Sequence, residues 1–89
     1  MMEEMHYTIS LYEAAALLSN RDFEVDYDDI LAPENNSKRS RFVLKAYTDS
    51  KQLRAYIRDY HNGRTLVPPK VYDEKINMLR DILNKNKVQ

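Results

Sequence analysis

The chain has 89 residues, with one glycine, no cysteine and no tryptophan. That length suits one domain. Without cysteine there is no disulfide, thiolate zinc site or thiol nucleophile, and Gly63 alone cannot build a glycine-rich phosphate loop. The net charge is zero but segregated: residues 1–37 hold nine acids against Arg21, and residues 38–89 hold thirteen cations against five acids. No run reaches the ~18 apolar residues of a membrane span. The opening MMEEMHYTIS is acidic and has no apolar stretch of the kind a signal peptide needs. A cytoplasmic location is therefore expected.

In chain order, residues 1–9 read as a lead-in in which Tyr7–Ile9 could add a short third strand. Ser10 and Glu13 have the spacing of a capping box. The run from Leu11 to Leu18 then predicts a helix with Leu11, Ala14, Ala15 and Leu18 on its apolar stripe. Asn20 is placed to end it in the left-handed conformation. Residues 22–28 alternate, with Asp22, Glu24, Asp26 and Asp28 on one face and Phe23, Val25 and Tyr27 on the other. This period of two predicts a half-buried strand. Residues 41–47 predict its antiparallel partner: Phe42, Leu44 and Ala46 face in, while Arg41, Val43, Lys45 and Tyr47 face out. A polar loop, 33–40, joins the two.

Asp49 or Ser50 is placed to cap a second helix, with Gln52 capping back. Leu53, Tyr56, Ile57 and Tyr60 form the buried stripe of that helix, and Gly63 is suited to the position just past its end. Pro69 suits the first turn of a third helix, whose stripe is Tyr72, Ile76, Leu79 and Leu83, flanked by Ile82. The expected fold is α+β: an antiparallel hairpin against three helices, in the order helix, strand, strand, helix, helix. Residues 10–85 form the domain and 86–89 a frayed tail.

Two groups of residues in this pattern carry a resemblance. The second half has the Arg41-Phe42-Val43-Leu44 strand, a helix closing in Asp59-Tyr60-His61-Asn62-Gly63, then Leu66-Val67-Pro68-Pro69 and a helix with Ile76 and Leu79. The first half has Ser10 to Leu18, followed by Asn20-Arg21-Asp22-Phe23. Over about residues 7–83 the chain resembles a family of small phage and bacterial proteins, domain of unknown function 5659. It departs where the family often has glycine in place of Asp22 and phenylalanine in place of Leu44. The resemblance implies a viral or mobile-element setting and brings no catalytic residues.

Several constellations bear on function. His6 and His61 are far apart in sequence and read as two surface histidines. Asp26, Asp28 and Asp29 lack the glycine and terminal glutamate of an EF-hand loop, so no metal and no cofactor is expected. The acidic row Asp22, Glu24, Asp26 and Asp28 has two readings. It pairs with Arg41 and Lys45 on the neighbouring strand, or it meets a basic partner: a host protein or nucleoprotein complex. The cations Lys38, Arg39, Arg41, Lys51, Arg54 and Arg58 likewise form either a solvated surface or a phosphate-binding one for DNA or RNA. Tyr12 and Tyr47 fall off their apolar stripes and are exposed aromatic candidates for an interface. Unpaired strand edges leave self-association, as a dimer, open. The expectation is a non-enzymatic binding module, with a direct nucleic-acid binder as the alternative.

Overall fold

A computed structural model describes residues 2–33 and 39–86. The elements are β1 (Glu4–Thr8), α1 (Leu11–Ser19), β2 (Val25–Leu31), β3 (Arg41–Ala46), α2 (Ser50–His61) and α3 (Pro69–Asn86). The class is α+β, as the sequence indicates, but the chain opens with a strand. The lead-in contributes all of Glu4–Thr8 to a three-stranded antiparallel sheet of order β1-β3-β2. The basic strand β3 is therefore central, between the amino-terminal strand and the acidic one.

The register defines two faces. Rows His6–Leu44–Tyr27 and Thr8–Phe42–Ile30 point to the helices, and rows Met5–Lys45–Asp26 and Tyr7–Val43–Asp29 point away from them. Phe42, Leu44 and Ala46 form the core with Ala14, Ala15, Leu17, Leu53, Ile76 and Leu79. A β-bulge between Tyr27 and Asp29 leaves Asp28 without a Cα partner. One extra residue reverses the alternation beyond it, so Ile30 joins the core side and Asp29 the open side.

Helix α1 lies deepest. Ala14, Ala15, Ala16 and Leu17 are all at most 1% exposed, a wider buried arc than the expected stripe. The helix is covered by the sheet and by α3, and its alanines allow close approach from more than one side. Ser10 caps it as expected, its hydroxyl accepting from the Glu13 N–H at 3.1 Å. The other half of the capping box is replaced: the Ser10 N–H donates to the Thr8 hydroxyl at 3.0 Å, which frees the Glu13 carboxylate. Asn20 stops the helix without turning left-handed. Its φ is −68° and ψ 156°, and it works through its side chain instead. The amide donates to the Leu17 carbonyl, and its oxygen accepts from the N–H groups of Asp22 and Phe23.

Asp49 caps α2, accepting from the Gln52 N–H at 2.7 Å. The Gln52 side chain accepts from the Thr48 hydroxyl instead of capping back. At the far end Gly63 has φ +71°. Its N–H donates to the Tyr60 carbonyl and that of Arg64 to the Asp59 carbonyl, the paired bonds of a Schellman ending. Tyr56 lies edge-on to Phe23 and donates its hydroxyl to the Ala16 carbonyl at 3.0 Å. This fastens α2 to α1, and burial pushes the phenol pKa up to about 12. Pro69 opens α3 as its composition predicts. Among the described residues no helix is long and apolar enough to cross a membrane.

Candidate functional site: a buried carboxylate and an open sheet face

The deep placement of α1 buries the third residue of that helix. Glu13 is 6% exposed, and a buried carboxylate needs partners. Two histidines supply them. His6, from β1, lies with Nε2 3.0 Å from Oε2, and His61, the last residue of α2, with Nε2 2.7 Å from Oε1. The hydrogen bond from His6, with further help from Thr8 and the charges of both rings, outweighs desolvation and lowers the Glu13 pKa from 4.5 to about 2. The carboxylate is ionised at neutral pH and can only accept, so each ring is assigned a proton on Nε2. Tyr60 packs edge-on against His61. One carboxylate thus ties together β1, the start of α1 and the end of α2.

The expectation of two surface histidines holds for His61 but not for His6, whose side chain is mostly buried. Both rings meet Glu13, although fifty-five positions separate them in sequence. The available signal was an acid on a helix otherwise rich in alanine and leucine, but the capping-box spacing already gave that acid a role. The nearby hydroxyls also serve the helix start as acceptors, Ser10 from the Glu13 N–H and Thr8 from the Ser10 N–H. Among the described residues no group of three or more His, Asp or Glu side chains is arranged to hold a metal ion.

The second candidate is the sheet face away from the helices. Along β1 it carries Met5 and Tyr7, continued by Ile9, and these are 42%, 53% and 50% exposed. Along β3 it carries Arg41, Val43 and Lys45, and along β2 Asp26 and Asp29. The face therefore runs from apolar at one edge to acidic at the other. The Tyr47 N–H donates to the Glu24 carbonyl at 2.8 Å, extending the ladder one step, and the Tyr47 hydroxyl donates to Asp26 at 3.1 Å. That hydrogen bond is the first cause of the raised Tyr47 pKa. Tyr47 is thus partly buried and engaged with Asp26, whereas Tyr12 is half exposed and accepts from Arg80 on α3 at 3.3 Å.

The straight row of four acids is not what forms. Asp22 sits in the bend before β2 with its N–H on Asn20, and Asp28 occupies the bulge. Glu24 and Asp26 keep the expected alternation, and the bulge brings in Asp29. Asp26 stands directly opposite Lys45, so opposite charges face each other across the two strands. The cations divide too. Lys51, Arg54 and Arg58 are exposed on α2, and Arg58 Nε lies 3.9 Å from the Asp59 carboxylate. Arg41 belongs to the open face, on the other side of the sheet from α2. Arg39 is exposed ahead of β3, and Lys38 lies outside the described residues.

Compared with known proteins, the chain matches no family model, no curated protein and no solved structure.

Proposed function

We propose that this is a non-enzymatic binding module that recognises a host protein or nucleoprotein complex with the open face of its sheet. The observation that carries this reading is the gradient on that face, from Met5, Tyr7 and Ile9 to Glu24, Asp26 and Asp29. Exposed aromatic and thioether side chains suit the centre of a protein interface, and flanking charges suit its rim. The acids select a basic partner. The histidines and Glu13, the groups best suited to acid–base chemistry, are used to join β1, α1 and α2. A phage or mobile-element origin, and with it inhibition of a defence system, rests on the sequence resemblance alone.

The test is capture of partners from the native host with the tagged protein and with its Glu24→Lys, Asp26→Lys variant, each with and without nuclease. Circular dichroism verifies that the variant is folded. A nuclease-resistant protein partner lost in the variant supports the reading, and unchanged capture by the variant refutes it. Capture that nuclease abolishes would instead favour direct nucleic-acid binding through Lys51, Arg54 and Arg58.

A further inference from the structure

We propose that the outer edge of β1 pairs with β1 of a second copy of this chain, joining two three-stranded sheets into one of six strands. A sheet of order β1-β3-β2 has two edges, and on each edge alternate N–H and C=O groups point outward without a strand partner. The two edges differ in how they are protected. The edge at β2 carries Asp26, Asp28 and Asp29 and is interrupted by the bulge at Asp28, and acids and bulges both discourage strand addition. The edge at β1 has neither device. Its five residues keep unbroken register with β3 and contain one acid, Glu4. Among the described residues no backbone hydrogen bond outside that ladder reaches it.

The side chains indicate a copy of the same strand as the occupant. In antiparallel pairing about His6, Met5 stands opposite Tyr7 of the second copy, and Glu4 opposite Thr8. Each of these pairings occurs twice, His6 faces its own copy on the axis, and no Lys, Arg, Asp or Glu faces a like charge. Thioether and aromatic ring make a favourable cross-strand pair, and both side chains are exposed in the single chain. The alternatives pair less well. Joining β2 to β2 sets acids against acids. Joining β1 to β2 brings Glu4 toward Asp26, Asp28 and Asp29 with no Lys or Arg on either strand. That arrangement is also head-to-tail and open-ended, whereas β1 with β1 closes as a two-fold dimer. A five-residue edge buries less than the ~1,200 Å² of a standard stable interface, so the dimer depends on concentration. The proposal concerns the strand edge and is independent of partner recognition by the open face, although dimerisation would make the two open faces continuous.

Sedimentation of the purified protein alone, from about 5 to about 500 µM, tests it. The expected result is a reversible rise from the 10.6 kDa of one chain toward twice that mass. Replacing Met5→Lys together with Tyr7→Lys sets ammonium groups opposite each other across the two-fold axis, and at least tenfold weaker association is expected. Replacing Met5→Lys together with Tyr7→Glu sets opposite charges there, and association returns. Both positions are exposed, and circular dichroism verifies the fold. A wild-type chain that stays monomeric throughout, growth beyond a dimer, or two variants that associate equally would each overturn the proposal.

Discussion

Replacing Glu13 by Gln removes the charge that two histidines share and nearly preserves the side chain's shape. The magnitude follows from the displaced ionisation. A pKa of about 2 in the folded chain against an ordinary 4.5 corresponds to about 3 kcal/mol, at 1.36 kcal/mol for each pKa unit. The Glu13 side chain is only 7% exposed, so solvent screens little of this. Glutamine can accept from one ring but turns an NH₂ toward the other, which can accept it only by giving up its Nε2 proton. A loss of about 2–3 kcal/mol at pH 7 is expected, or about 10 °C or more in Tm for a domain of this size. The assay is urea unfolding followed by circular dichroism, at pH values from 7 down to 3.

The sign of the pH dependence is fixed by the direction of the displacement. The folded state holds the Glu13 proton less tightly than the unfolded state. The stabilisation is therefore complete above about pH 4.5 and is lost as pH falls toward about 2. Glutamine does not titrate, so the gap between wild type and variant narrows as the solution is acidified below pH 4.5. His6→Ala should cost more than His61→Ala, because the two side chains are 18% and 63% exposed. Both costs should shrink in the Glu13→Gln background, as a double-mutant cycle would reveal. A gap of less than about 1 kcal/mol at pH 7, or one that stays constant from pH 7 to 3, would refute the reasoning.

Two further outcomes follow from local geometry. Gly63→Ala should lower stability by about 1 kcal/mol. Gly63 has φ +71° and an added Cβ meets nothing within 4 Å, so the loss is backbone strain alone, measurable as a fall in Tm. Thr65→Val should raise stability by about 1 kcal/mol, because the Thr65 hydroxyl is buried and has no hydrogen-bond partner among the described residues. The same urea titration would detect it, and a destabilised variant would contradict the assignment.

Short-range rules account for much of this fold because they act within a few residues. Ser10 and Asp49 cap α1 and α2, Gly63 supplies the left-handed turn after α2, and Pro69 begins α3. Each is a contact between a residue and backbone groups within a turn of it. The alternation of Phe42, Leu44 and Ala46 likewise fixes which side of β3 is buried, since the period of a strand is local. These features, together with the α+β class, were legible in the linear sequence.

What depended on distant partners was not. The third strand, suggested by the sequence at Tyr7–Ile9, runs over Glu4–Thr8 because β3 had a free edge for those residues to occupy, and nothing within the five residues specifies that edge. The bulge at Asp28 replaced a row of four acids with Glu24, Asp26 and Asp29; one inserted residue reverses every side chain after it. Glu13 had the spacing of a capping residue. Only the packing of α1 between the sheet and α3 buried it, and only the folded chain brought His6 and His61 to its two oxygens. The sequence by itself determined the elements, their caps and the apolar side of β3, because those rest on backbone geometry over a few residues. Tertiary structure decided which charges are buried and paired and which face remains open, because burial depends on what the rest of the chain places alongside.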